Sequence, residues 1–258
     1  MLQGTLLLAA VKQIDADALI LSLPHNLQAT VPLVGLPAEI QQKLTGQPKR
    51  TTSGDESDSD EEMMEEEEDN LDMGLASFFK VGQVLQCCIM GSESEERRQL
   101  VASIDPKEVN RNLEVSKNGA PLQAVVESKE DHGYMLRLGC KNAPRGFMAT
   151  PKEPTSWTAG SLLTVSMTSL KNNLAVCQLF AGEKKVAEST NDAIVLQQLR
   201  PGYLVEALIL SKSEGEGYRC RVAGLFDAIL TQQHATEDLS VSAKVLFVSF
   251  YPIVIKRC

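Results

Sequence analysis

The sequence predicts an all-β protein: a tandem of small five-stranded barrels with short helical connectors and one disordered acidic insertion. Three observations carry that expectation. Short apolar runs with period-two patterning recur along the chain, bounded by Gly, Pro, Asn and Asp. The runs fall into three successive groups, so the pattern itself repeats. Aromatic residues make up only 5% of the 258 residues, with one Trp, while Val, Leu, Ile and Thr fill the runs; this suits several modest β cores.

In the first group, Thr5 to Lys12, Asp17 to Leu23 and Gln28 to Leu33 read as strands, separated by turns at Gln13 to Ala16 and Pro24 to Leu27. Pro32 and Pro37 limit the sheet because proline cannot donate to a ladder, and Ala38 to Leu44 has room for one or two helical turns before Gly46. Gln83 to Met90 and Arg97 to Ser103 supply two more strands, bridged by the polar turn Gly91 to Glu96. Five short strands with a helical turn in the third-to-fourth connection match the Greek-key OB barrel. Pro106 to Asn112 follows as a short helical connector.

Between the third and fourth strands, Gln47 to Gly74 is a different material. Its Ser, Gly and Pro residues and its acidic block cannot bury enough apolar surface to offset ordering, so it is expected to be disordered. Ser53, Ser57 and Ser59 each have an acidic residue three positions on (Glu56, Asp60, Glu62), the pattern of an acidophilic kinase site. Phosphate there would add about −1.5 to −2 of charge per site.

The second group contains Pro121 to Ser128, His132 to Leu138, Arg145 to Ala149, a Pro-rich link with Pro151 and Pro154, then Ser161 to Ser169 and Asn173 to Phe180. Glu183 to Leu199 is polar and partly helical in pattern. A third group opens at Pro201-Gly202-Tyr203 and continues through Leu204 to Ser211, Gly217 to Val222, Asp227 to Leu230, Ser242 to Ser249 and a last strand from Ile253. Lys80-Val81-Gly82-Gln83 shows the same Gly-before-strand device as Pro201-Gly202-Tyr203. The expected domains are residues 1–113 with the insertion 47–74, residues 117–181, and residues 198–258, the last one incomplete.

The formal charge of −9 looks unfavourable for nucleic acid. Twelve of the 34 acidic residues, however, lie between Asp55 and Asp72 in a window without Lys or Arg, so the remainder is near neutral and mildly basic at +3. Weak affinity per repeat is expected, since no segment forms a strongly basic stripe. The six cysteines (Cys87, Cys88, Cys140, Cys177, Cys220, Cys258) include no Cys-x-x-Cys pair and read as buried free thiols of a reducing compartment. The adjacent Cys87 and Cys88 should point to opposite faces of a strand. No apolar run reaches the ~20 residues needed to span a bilayer, and the opening residues lack the charged lead of a signal peptide. A soluble intracellular protein without membrane partner, cofactor or small-molecule substrate is expected.

Catalytic signatures are missing from the sequence. It has no phosphate-cradling Gly-rich loop with Lys, no Gly-x-Ser-x-Gly elbow and no His-Glu-x-x-His. His25, His132 and His234 lie far apart and cluster with no acids at metal-ligand spacing. The expectation is a non-enzyme without a metal.

At Glu130-Asp131-His132-Gly133-Tyr134, with Leu136-Arg137-Leu138-Gly139 and Arg145-Gly146-Phe147 behind it, the second group resembles an S1-type RNA-binding repeat. In that family an aromatic-Gly-x-aromatic stretch leads into strand two and a Gly-hydrophobic pair opens strand three. Ser103-Ile104-Asp105-Pro106-Lys107-Glu108-Val109-Asn110-Arg111-Asn112-Leu113 resembles the connector between the first two repeats of one multi-S1 family. That is the family of ribosomal RNA processing protein five, known in animals as programmed cell death protein eleven. Val11-Lys12, Leu21-Ser22-Leu23-Pro24 and Leu27-Gln28 are similar to its first repeat. The resemblance covers Met1 to about Thr45 and Lys80 to Phe180 well, and the rest more loosely. It implies a nucleolar scaffold for ribosome biogenesis and pre-ribosomal RNA processing, whose partners are pre-ribosomal RNA and assembly factors. Because the helical-repeat region of that family is not visible, the chain is expected to be an N-terminal piece or an incomplete gene model.

Barrels of this type bind single strands by stacking bases on exposed aromatics and tracking the backbone with Lys and Arg. Carried over by position, the resemblance puts His132 at the first exposed aromatic, with Tyr134 beside it, Met135 at the second, and Ala149 where many repeats carry His. Lys141 and Arg145 are candidate phosphate contacts, and Phe147 completes the second-repeat set. Tyr218, after Gly217, is the third group's counterpart, with Arg219 and Arg221 nearby. The first group offers only Asp15 and Asp17 there, and is expected to bind protein or nothing. Two readings follow: an RNA-binding scaffold acting through avidity of weak repeats, or a protein-interaction array of degenerate barrels recruiting ribosome assembly factors through exposed edges and apolar patches.

Overall fold

In the computed structural model, residues 3–46, 74–92, 100–111, 113, 121–151, 156–180, 201, 204–213, 217–222, 226–232, 235 and 238–248 are described. The acidic insertion with Ser53, Ser57 and Ser59, the pattern from Glu183 to Leu199, His234, and the last strand from Ile253 lie outside the described residues.

Repeat one is a closed barrel of β1 (Leu6–Ile14), β2 (Ala18–Ser22), β3 (Gln28–Pro32), β4 (Val84–Ser92) and β5 (Leu100–Ser103). The strand order is 1-2-3-5-4, closed by β1 against β4, with β3 and β5 parallel. Helix α1 (Ala38–Thr45) lies in the third-to-fourth connection as expected, ending at Gly46 in the left-handed conformation that glycine adopts freely. Leu7, Val11, Leu19, Leu21, Val31, Ile40 and Ile89 are among the buried side chains of its core.

Repeat two repeats the plan with β6 (Leu122–Glu130), β7 (Gly133–Arg137), β8 (Arg145–Ala149), β9 (Leu162–Lys171) and β10 (Leu174–Leu179), again a closed barrel with its third and fifth strands parallel. Repeat three is described as a four-stranded sheet, β13-β12-β11-β14, made of β11 (Leu204–Ser213), β12 (Gly217–Val222), β13 (Phe226–Leu230) and β14 (Lys244–Val248). Two barrels, rather than three, are thus closed among the described residues.

Strand one of every repeat carries an irregularity against strand two at one equivalent place: Val11/Gln13, Val126/Ser128 and Ile209/Ser211. A bulge bends a strand, and here it lets strand one pair with strands two and four at once. A second shared device is the turn into strand four. Gly82, Gly160 and Ser242 have φ of +86°, +91° and +69°, and their N–H groups donate to the carbonyls of Val11, Val126 and Ile209. The structural counterparts of Gly82 among the described residues are therefore Gly160 and Ser242, while Gly202, the match by sequence likeness, lies outside the described residues; the turn is selected by its fit to strand one.

Repeats one and two are docked through buried polar groups. β4 loses its β5 neighbour beyond the pair Cys88–Ser103, and there the Gln86 N–H donates to the side-chain oxygen of Gln123 from β6, at 2.9 Å. The Gln123 amide nitrogen donates to the Ile104 carbonyl at 2.6 Å. The connector helix α2 (Pro106–Val109), capped by Asp105, is followed by the buried Asn110, whose amide donates to the carbonyls of Gln123 and Leu138. Gly139, at φ +68°, lies so close to this connector that a Cβ would fall 2.5 Å from the Lys107 backbone. Repeat two lends Leu162 to the core of repeat one and Phe180 to that of repeat three, while Gln86 donates to the Pro201 carbonyl at the entry to repeat three.

Cys87 and Cys88 do point to opposite faces, yet both are buried, because the outward face of β4 is covered. Burial pushes the Cys87 and Cys177 thiols up to about 12 and Cys220 to about 11, which leaves them protonated and poor nucleophiles near neutral pH.

Candidate nucleic-acid interface

Strands two and three of a barrel of this type offer the open face for a single strand. In repeat two the burial alternation of β7 and β8 sends Tyr134, Leu136 and Met148 inward and leaves Gly133, Met135, Arg137, Arg145, Phe147 and Ala149 on the outer side. The register pairs these outer residues as Gly133 with Ala149, Met135 with Phe147, and Arg137 with Arg145. The tip of the Phe147 ring meets Gly133: a Cβ on that glycine would come within 2.8 Å of its Cζ atom and 2.2 Å of the Met148 carbonyl oxygen. Glycine is required there because the Met148 carbonyl and the tip of the Phe147 ring leave no room for a Cβ.

Several predicted residues therefore change place. Tyr134 is 2% exposed and packs edge-on against Trp157, with ring centroids 5.3 Å apart at 74°. With both faces enclosed, it is a core residue pinning the connection between β8 and β9, not a stacking platform. Tyr218 is likewise 2% exposed, and its hydroxyl donates to Asp238 at 2.7 Å while accepting from the Leu239 N–H. Asp238 also takes Lys212 at 2.5 Å, and the hydrogen bonds from Lys212 and Tyr218 hold its carboxylate below its ordinary value. The two tyrosines do the same work in successive repeats. The physical reason is parity: each follows a glycine that opens strand two, and the residue after that glycine faces the core.

His132 is exposed in the turn before β7, with its carbonyl accepting from the Thr150 N–H at 3.1 Å. Lys141 is exposed in the turn between β7 and β8. Arg145 is on the outer face beside Glu127, at 3.3 Å. Phe147 is half-buried and paired with Met135, so the apolar platform is this pair, with His132 at one end and Arg145 at the other. Met135 was legible as a family position, but its pairing with Phe147 follows only from the register.

In repeat three the equivalent outer positions hold Arg219 opposite Ile229, and Arg221 opposite Asp227. Arg219 is exposed, Ile229 is 71% exposed, and Arg221 is engaged by Asp227 at 3.1 Å. Repeat one carries Ala18 opposite Pro32, Ile20 opposite Thr30, and Ser22 opposite Gln28, without a cation or aromatic ring. Asp15 and Asp17 lie in its turn between strands one and two, where Asp15 accepts from the Gln13 amide at 2.6 Å.

Arg137 was not among the residues expected to form the site, because its neighbours in space are remote in sequence. Its guanidinium donates from Nε and Nη2 to the two Glu39 oxygens at 2.8 and 2.7 Å, and from Nη1 to Asp105 Oδ1 at 2.8 Å. Burial opposes the charge, but the Glu39 hydrogen bonds and the two carboxylates raise its pKa above the ordinary arginine value.

No family model matches the chain. It is 26% identical to the rRNA biogenesis protein rrp5 of Schizosaccharomyces pombe over 268 aligned positions, taking in 95% of this chain and 15% of that protein. It is 25% identical over 223 positions to the Protein RRP5 homolog of Mus musculus and to that of Homo sapiens, covering 80% of this chain and 11% of each. The chain thus spans at most 15% of the length of these curated relatives, and the resemblance read from its residues and connector agrees with them. Among solved structures, a multidomain protein with nucleic acid binding domains from Streptococcus pneumoniae matches 77% of this chain and 60% of its own. Its identity is 12% and its TM-score 0.31, too loose a likeness to bear on function.

Proposed function

We propose that this chain, as a segment similar to rRNA biogenesis protein rrp5, is a non-catalytic scaffold that holds pre-ribosomal RNA through weak contacts on repeats two and three. Repeat one positions repeat two and has no RNA contacts of its own. The observation that carries this reading is the outer face of β7 and β8, where the Met135–Phe147 pair lies between exposed His132 and Arg145, with Lys141 in the adjoining turn. An apolar ledge edged by cations suits unstacked bases with their phosphates, and stacking contributes about 1–3 kcal/mol per base. On repeat three, Arg219 beside Ile229 makes a smaller version of the same arrangement. The setting is nucleolar, and Ser53, Ser57 and Ser59 are the sites at which phosphorylation would tune the charge.

A second reading, recruitment of assembly factors, is favoured for repeat one by its uncharged outer pairs Ile20–Thr30 and Ser22–Gln28. The test is binding of the chain to a labelled single-stranded RNA at several salt concentrations. Joint replacement of His132, Lys141, Arg145 and Phe147 should sharply weaken binding and lessen its salt dependence, leaving the smaller contribution of repeat three. Unchanged affinity would reject this face.

A further inference from the structure

The outer face of repeat two holds an arrangement that repeats one and three do not: two arginines directly opposite each other, Arg137 on β7 and Arg145 on β8. Like charges at such positions repel. The equivalent pairs are Ser22–Gln28 in repeat one and the self-neutralised Arg221–Asp227 in repeat three. In repeat two each cation is neutralised from elsewhere. Arg145 takes Glu127 from β6, across β7 in the same barrel, at 3.3 Å, through an open contact in which the arginine side chain is 65% exposed. Arg137 is held by Glu39 of α1 and Asp105 of the connector, both outside repeat two, with all three side chains under 20% exposed. The grip on Arg137 is the two-pronged carboxylate geometry that a phosphate would otherwise use.

We propose that repeat one is an intramolecular lid on repeat two: Glu39 and Asp105 occupy Arg137 in place of an RNA phosphate, closing one end of the face and leaving Arg145 as its working cation. This rests on the RNA-binding reading above. A single strand then engages His132, Met135, Phe147 and Arg145 and stops short of Arg137. Release of α1 from β7 opens a second phosphate contact and lengthens the site. The lid is electrostatic, so a competing polyanion or the loss of either acid's charge works against it.

The test uses the whole chain and a labelled single-stranded RNA of twelve mixed nucleotides, with affinity measured against salt. Glu39→Gln with Asp105→Asn keeps side-chain shape and the cap on α2, which Asp105 Oδ1 makes with the Lys107 N–H at 2.8 Å. This variant should bind more tightly at low salt. Its plot of log affinity against log salt should steepen by about 0.7, the value of one further phosphate on a single strand. Arg137→Met added to those two substitutions removes the cation together with both of its carboxylates, so that no buried charge is left unpaired, and should lose the steeper slope. A triple variant that keeps the steeper slope would mean that loss of the acids' charge, and not a freed Arg137, strengthens binding, and would overturn the lid. So would an unchanged slope in the double variant while Met135→Ala with Phe147→Ala still loses binding; the RNA-binding reading would then stand alone. Failure of every form, parent included, to bind RNA would overturn both.

Discussion

At matching register positions, repeat one turns Ala18, Ile20 and Ser22 outward against Pro32, Thr30 and Gln28, whereas repeat two turns out Gly133, Met135 and Arg137 against Ala149, Phe147 and Arg145. The inward partners hardly differ in character: Leu19 and Leu21 in one, Tyr134 and Leu136 in the other. A closed barrel constrains only every second residue, because side chains alternate between faces. The core half of each strand is answerable to packing and the outer half is free to specialise. Repeat one has used that freedom to become a support, with its loop helix clasping repeat two, while repeat two has kept a ledge and cations.

The comparison can be broken most severely at the seam between the two. Gln123→Ala removes the acceptor of the Gln86 N–H and the donor to the Ile104 carbonyl, both at buried positions. At about 1–3 kcal/mol for each of the two groups left unsatisfied, a loss of about 2–6 kcal/mol is expected. Urea unfolding of the parent and the variant reads it.

Gly133→Ala is the next largest. It drives a Cβ into the Met148 carbonyl and the Phe147 ring and should cost about 3 kcal/mol. Its counterpart Ala18→Gly should cost only backbone entropy, about 0.5–1 kcal/mol. Equal losses in the two repeats would show that the outer faces are not differentiated as described.

On binding, Phe147→Ala should weaken capture of single-stranded RNA by about 1–3 kcal/mol, and Ile20→Ala at the equivalent level of repeat one should leave it unchanged. Fluorescence anisotropy with both variants sharpens the contrast between ledge and support. The smallest effect tests the shared turn. Ser242 has the left-handed φ that glycine holds at positions 82 and 160, so Ser242→Gly should raise the stability of repeat three by about 1 kcal/mol, visible as a higher unfolding midpoint.

Most strands were legible because apolar alternation bounded by turn residues survives without any partner. Arg145–Ala149 and Gly217–Val222 fall where the pattern puts them, and the others shift by a few residues at their ends. The site was less legible. His132, Lys141, Arg145 and Phe147 are on the surface or half-exposed, whereas Tyr134 and Tyr218 are not. The signal that would have placed Tyr134 was present, since it shares parity with Leu136 and Leu138, both fully buried. A glycine-flanked aromatic looks like a surface platform until strand parity is applied, and a shift of one residue exchanges the faces.

By itself the sequence determined the β character, the three groups of strands, the acidic insertion and the chemistry available to each segment, all of which follow from local periodicity and composition. Only the tertiary structure decided what Arg137 faces, how Gln123 completes β4, and that Met135 and Phe147 form one surface. Those depend on residues 32 to 98 positions apart or on cross-strand register. Pairings at such separation are set by barrel closure and docking, which leave no periodic trace in the chain.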